Sequence, residues 1–437
     1  QRLINISNPG DSLIDYAVGK GGDWPKWIKS RLSFIFGIDI SKDNIENRVD
    51  GIYSRYLNYR KTYHSVPYGL FIQGDSAKNI KAGDVTNTPK EKQIINSVFG
   101  NGPKDPSILG QGVYDNFGKG SDGFNISSCQ FAIHYFFKDI VSICGFLRNV
   151  SECTKINGHF VGTCYDGLKI FSKMRNKVMG ESVQLNKKEH MIWKITKNYA
   201  EDVFNNDHTS LGLAIDVYQE SINKTFREYL VNFNYFDQLL QHFGFAKITD
   251  SEANDFGLPG ACESFNILFN EMNKDQTTHK IGSAKHMSKE EKEISFYGRY
   301  FVYKKIRDVD TVNLEKTLIE KVNSEMANIN DEDLSTKEVM RLKNLFSPNL
   351  SLINEEGDEG DGEGETSEQK SADDRDLDEN TVDNTSEASE VKSAGVSEEK
   401  EDMDDDEEKS AGVSEEKEDM DNDDEEKSAA VSEEKED

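Results

Sequence analysis

Short apolar runs separated by glycine and polar turns fill the first 310 residues, and their spacing predicts strands alternating with helices. Leu13-Ile14 and Phe34-Ile35-Phe36-Gly37-Ile38 suit buried parallel strands. Gly19, Gly21 and Gly22 predict a turn between them, followed by a short helix. Residues 41–58 read as a helix with Ser41 as N-cap and Ile45, Val49, Ile52 and Tyr56 at helical spacing. Residues 68–73 and 124–129 form the third and fourth strands, and 139–150 a helix. Gly158 turns into a fifth strand over 159–164, and another helix begins at Asp166. Residues 176–212 read as polar and irregular, anchored locally by Trp193 and Tyr199. A strand pair is expected at 214–217 and 224–233, an amphipathic helix at 235–243, an aromatic strand at 295–304 and a charged helix at 315–346. This order is that of an α/β protein built on a doubly wound, mostly parallel sheet. Residues 78–123 are rich in Gly, Asn, Asp, Lys and Pro; so long a connection is expected to serve a site or partner. Ile94-Ile95, Val98-Phe99 and Val113-Tyr114 suggest short helices within it.

Charge divides the chain. Residues 351–437 carry 38 acidic and 8 basic side chains, a net of −30, whereas residues 1–350 balance 43 acidic against 44 basic. The overall −29 therefore describes the tail. The tail repeats KSAGVSEEKED from Lys392 and Lys409, with a KSAAVSEEKED variant from Lys427. No position of the repeat carries a core-forming side chain, so disorder is expected rather than a solenoid, with solvation or capture of a basic partner as its uses. The expected division is a domain at 1–310, a charged helical appendage at 311–350 and an acidic tail at 351–437. The five cysteines, Cys129, Cys144, Cys153, Cys164 and Cys262, have no metal-ligand spacing and suit buried thiols in a reducing compartment. No stretch reaches membrane-spanning length, and Gln1-Arg2-Leu3 leads straight into structure, so neither a membrane anchor nor a signal peptide is expected. The chain starts without Met and is expected to be cut from a longer polypeptide.

The candidate chemistry gathers at predicted strand ends. Asp39 closes the second strand, twenty residues after Gly19, where a carboxylate can accept both hydroxyls of an adenosine ribose. The dinucleotide fingerprint fails, because Trp24 stands at the third glycine position. S-adenosylmethionine needs no pyrophosphate cradle, and Asp15 and Asp23 supply negative charge for its sulfonium. Any doubly wound sheet with a glycine turn shares the layout. Gly74-Asp75-Ser76 follows the third strand; Asp75 suits an adenine amino group or a solvent-facing turn equally. Gln130, His134 and Tyr135 cluster where the fourth strand ends, the edge at which such sheets bind ligands; core packing is the competing role for the histidine. Glu228 lies among aromatics, either on the exposed face of a strand or in a pocket reading a donor edge. RVDG at 48–51 resembles a nucleotidyl-transfer motif but lacks its lysine and falls mid-helix, so it is rejected.

DYAVGKGGDWPKW, FGIDIS, GDS, SSCQFAIHYFF, REYLVNF and SFYGRYFVYKK occur in this order. Together they resemble messenger RNA cap guanine-N7 methyltransferases, most closely the methyltransferase region of capping enzymes from large DNA viruses, over residues 13–306. The resemblance implies a Rossmann-like class I methyltransferase fold with a seven-stranded, mostly parallel sheet. It implies S-adenosyl-L-methionine as cofactor, GpppN-capped RNA as substrate, and no metal and no catalytic nucleophile. Gly19, Lys20, Gly21 and Gly22 would line the cofactor, Asp39 would hold its ribose, Asp75 and Ser76 would meet the adenine, and Gln130 the methionine part. His134 and Tyr135 would hold the cap guanine, Glu228 would accept from its amino edge, and Tyr297, with Tyr300 as the alternative, would complete the pocket. Ala17 stands where the family often has Gly, and Ala77 where it often has Tyr. The family's upstream Asn-x-x-Ile-Lys helix has no counterpart here, which implies weak or absent activity of the fragment. Upstream triphosphatase and guanylyltransferase domains, a stimulatory subunit, and an intracellular location (virus factory, virion or nucleus) are further implications. The alternatives are methyl transfer to another small molecule and a non-catalytic binding module with the same fold.

Overall fold

The computed structural model describes residues 1–274, 284 and 286–327; the rest of the expected charged helix and the acidic repeats lie outside the described residues. The chain opens with β1 (Ser12–Asp15), β2 (Phe34–Asp39), β3 (Tyr68–Gln73), β4 (Phe124–Gln130) and β5 (Thr154–Tyr165). Then come β6 (Ser182–Lys187), β7 (His190–Lys197), β8 (Ala214–Gln219) and β9 (Lys224–Tyr229), and finally β10 (Phe245–Lys247) and β11 (Gly298–Lys305).

Seven strands form the main sheet in the order β10-β11-β5-β4-β1-β2-β3. β1 to β5 run parallel, while β11 runs antiparallel to both of its neighbours. β1 and β2 are buried along their whole length, as expected of parallel strands covered on both faces. One face packs Phe34, Phe36 and Phe124 with Phe146 of the helix Ile140–Cys153. The other packs Ile35 and Val161 against Trp24 and Trp27 of the helix Trp24–Lys29. Chain order reverses between β1 and β4, which opens a crevice at their carboxyl ends.

β6 to β9 form a separate antiparallel sheet. It corrects the expectation of irregular chain at 176–212: β6 and β7 form a hairpin. Trp193 and Ile195 point into a small core while Lys194 and Thr196 alternate with them, so the period-two signal is real but diluted by lysines. Trp193 and Tyr199 are buried, as expected. β9 stops at Tyr229, short of the expected 233, because Asn232 caps the helix Phe233–His242.

Two other boundaries move. The expected helix at 41–58 is two helices, Lys42–Glu46 and Ile52–Thr62. Ser41 caps the first, accepting from the Asn44 amide. Asn47 ends it by accepting from the Val49 and Asp50 amides, a local turn that competes with the helix. RVDG thus sits in the break, not mid-helix. The expected strand at 295–304 begins only at Gly298, because a Ser288–Glu291 capping box starts a helix at Lys289–Phe296. The helix Thr311–Ala327 packs on the main core through Leu314, Leu318, Ile319 and Val322. Arg148 joins it by an ion pair to Glu315 at 3.1 Å.

Candidate functional site

The glycine turn after β1 is tied to the end of β2. Gly19 (φ +55°) donates its N–H to Asp39 Oδ2 at 2.8 Å. Asp39 Oδ1 accepts from the Ser41 amide and the Asn44 side chain, both at 2.9 Å. A carboxylate offers roughly four acceptor sites, so Asp39 retains capacity for a ligand hydroxyl. Gly21 has φ +74°, and a Cβ there would lie 2.8 Å from Ile52 and 2.9 Å from Trp24. Nothing lies within 4 Å of a Cβ built on Gly19 or Gly22, so the turn borders open space. The Lys20 ammonium is held 2.9 Å from both Asp43 and Asp50, which raises its pKa.

Asp15, at the end of β1, is buried and accepts from the Ala17 amide at 3.1 Å. Burial, then the negative charges of Asp23 and Asp39, push its pKa to about 7. This convergence of carboxyl groups favours a cation beside Asp15. After β3, Asp75 accepts from the Ala77 amide at 3.0 Å, and Ser76 is buried with its hydroxyl donating to the Tyr16 carbonyl at 2.7 Å. Gln130 ends β4, its side chain spanning Ser128 and Thr163 at 3.2 and 3.1 Å.

The chain then turns through Phe131, which has φ +52° and is 58% exposed although aromatic. Such a conformation is strained for a bulky residue, and two acceptors on Thr163 hold its N–H. The turn starts the short helix Ile133–Phe136, bringing His134 and Tyr135 together with ring centroids 4.2 Å apart. His134 is buried, and neither ring nitrogen has a hydrogen-bond partner among the described residues. Tyr135 is 45% exposed. Glu228, on β9, faces His134 with its Oε1 3.8 Å from Nε2, beyond hydrogen-bond length. Burial lowers the His134 pKa to about 3 and raises that of Glu228 to about 8, so both are uncharged at neutral pH. A buried imidazole without a partner, facing a carboxyl group beyond hydrogen-bond reach, is suited to a third, polar group.

Tyr297 caps the helix Lys289–Phe296, stacks on Trp193 at 5.4 Å and donates its hydroxyl to Glu293 at 3.0 Å. Tyr300 is buried, its hydroxyl on the Gly260 carbonyl at 2.8 Å. The sequence reading missed Phe131 and also Tyr165, whose hydroxyl accepts from Gln219 at 2.6 Å and Trp193 at 3.2 Å. The strain at Phe131 has no signal in its residue type. Tyr165 depends on β7 and β8 of the second sheet, of which the sequence predicts only the β8–β9 pair. Among the described residues no His, Cys, Asp and Glu group could hold a metal ion, and no helix is long and apolar enough to cross a membrane.

A mostly parallel seven-stranded sheet with a reversed β11, a glycine turn after β1 and an acidic end to β2 define a Rossmann-like protein of the S-adenosylmethionine-dependent methyltransferase class. The family model for the mRNA (guanine-N(7))-methyltransferase domain matches residues 7–306, and the chain belongs to that family. The probable mRNA-capping enzyme of Acanthamoeba polyphaga mimivirus is 28% identical over 234 residues, 52% of this chain and 18% of the viral one. mRNA cap guanine-N(7) methyltransferase 1 of Arabidopsis thaliana is 26% identical over 258 residues, 58% of each chain. The Saccharomyces cerevisiae mRNA cap guanine-N(7) methyltransferase is 27% identical over 256 residues, 58% of this chain and 50% of its own. The matches thus span less than two thirds of each of these relatives.

Proposed function

We propose that the chain is the methyl-transferring domain of an mRNA-capping protein, acting on N7 of the guanine in a GpppN cap. The observation that carries this reading is the unpartnered, buried imidazole of His134, just beyond the carboxyl end of β4, facing the Glu228 carboxyl group. Guanine presents N–H donors along one edge and acceptors along another, which suits a carboxylate and a neutral imidazole. S-adenosylmethionine supplies the reaction with an activated methyl group on a cationic sulfur. The chain's residues fit that cofactor: open space borders Gly19 and Gly22, Asp39 offers acceptors, and Asp15 lies in a negative field. Gln130, Asp75 and Ser76 stand at neighbouring strand ends, suited to the methionine part and the adenine.

Guanine N7 carries a free lone pair, so the protein need not remove a proton. What the residues supply is position and a dry, polar environment. Tyr135 lies half-exposed beside His134, suited to pack on the guanine. Tyr297 is assigned to the rim of the same pocket, behind Trp193. Capped RNA is the proposed partner. Likeness to the mimivirus enzyme supports further capping domains in the same polypeptide and action where viral transcripts are made.

Glu228→Ala tests the reading. The guanine N–H donors favour the ionised form of Glu228 once the cap is bound, and a hydrogen bond to a charged group contributes about 1.5–3 kcal/mol, so methyl transfer to GpppG-capped RNA should fall at least about tenfold. Affinity for S-adenosylhomocysteine should stay unchanged. Equal loss of both would remove Glu228 from the guanine edge.

A further inference from the structure

We infer that Asn149 is the positioning residue that fixes the adenine-facing loop, residues 74–80. This rests on the assignment of Asp75 and Ser76 to the adenine. Asn149 lies on the helix Ile140–Cys153 and is fully buried, 0% exposed. Its Nδ2 donates to the carbonyls of Ser76 at 2.9 Å and Lys78 at 2.6 Å. Its Oδ1 accepts from the Ile80 amide at 2.9 Å. One planar amide therefore satisfies three backbone groups of one loop, with two donors and one acceptor. Asn and Gln alone among the side chains offer that set in one group.

The same helix meets the loop again one turn earlier. A Cβ on Gly145 would lie 2.1 Å from the Ala77 carbonyl oxygen, so the loop rests directly on helix backbone. The loop is also tied to β1: Ser76 donates to the Tyr16 carbonyl, and the Tyr16 hydroxyl donates to the Asn149 carbonyl at 3.3 Å. Tyr16 directly follows Asp15. Asn149 thus sets the adenine loop in register with the strand end assigned to the sulfonium, although it touches neither group.

The test uses Asn149→Asp, which keeps the acceptor for Ile80 but sets a carboxyl group against two carbonyls. Gly145→Ala is the second variant, should the first not fold; its methyl group pushes on Ala77 with no loss of helix propensity. Binding of S-adenosylhomocysteine and of its inosine analogue, whose purine lacks the amino group, is measured by calorimetric titration, where either variant should weaken the adenine ligand at least about tenfold, and methyl transfer to GpppG-capped RNA is measured with the matching methionine cofactors. The wild type should prefer the adenine cofactor. Either variant should raise KM for S-adenosylmethionine at least about tenfold and erase most of that preference. kcat at saturating cofactor and KM for RNA should hold within about twofold. A folded variant that keeps both KM and preference overturns the inference, as does one whose sole defect is a lower kcat from a smaller folded fraction. A wild type without preference overturns the adenine assignment, and the inference with it.

Discussion

Asp15 and Glu228 are carboxyl groups held where ionisation is disfavoured, Asp15 by burial and by Asp23 and Asp39, Glu228 by burial alone. Their folded pKa values, about 7 and about 8, lie above the ordinary carboxylic acid values of 3.8 and 4.5. Their contribution to stability is therefore full below those lower values and is lost as pH rises through the folded ones. A cation beside Asp15 favours its ionised form, so binding releases a proton. Affinity for S-adenosylmethionine, with its cationic sulfur, should then rise between about pH 6 and 8, while that for S-adenosylhomocysteine, whose sulfur is uncharged, stays flatter. Asp15→Asn should remove the difference in slope. Calorimetric titration checks this, and equal slopes for both ligands in the wild type would take Asp15 away from the sulfonium.

At the scale of elements, the device is the join between the glycine turn and the end of β2. Asp39 accepts three donors there, from Gly19, Ser41 and Asn44, so it shapes the turn that borders the open space. Asp39→Ala should abolish measurable binding of S-adenosylhomocysteine by removing the ribose acceptor and freeing the turn. Retained affinity would show that the turn keeps its shape and that the ribose lies elsewhere. These elements were legible because each depends on neighbours in sequence: β3 falls at 68–73 as read, and the apolar runs of β1 and β2 flank their turn. What the sequence concealed lies where the hydrophobic pattern is weak or a side chain decides the local fold. β6 is mostly polar and is held by pairing with β7 and by Trp193. The break at Asn47 is a side-chain choice between helix and turn, and periodicity alone favours the helix. Site residues could be proposed from their strand-end positions. The missing hydrogen bonds of His134 appear only once β9 brings Glu228 across from it.

Across the whole molecule, the helix Thr311–Ala327 extends the main core beyond the stretch matched to the family. Val322 is buried, Leu314, Leu318 and Ile319 pack on the core, and Glu315 pairs with Arg148 on the helix that carries Asn149. A chain ending at residue 310 should be less stable than one ending at 350 by at least about 3 kcal/mol in denaturant unfolding, since each buried aliphatic side chain contributes about 1.5–3 kcal/mol. Matching midpoints would make the segment an appendage in the energetic sense. The most direct measurement is transfer of labelled methyl from S-adenosylmethionine to GpppG-capped RNA, with GpppA-capped RNA as control and the labelled nucleotide identified by nuclease digestion. The account predicts label on N7 of the cap guanine and none on the adenine cap. Label on both caps, or on neither while S-adenosylhomocysteine still binds, would contradict it.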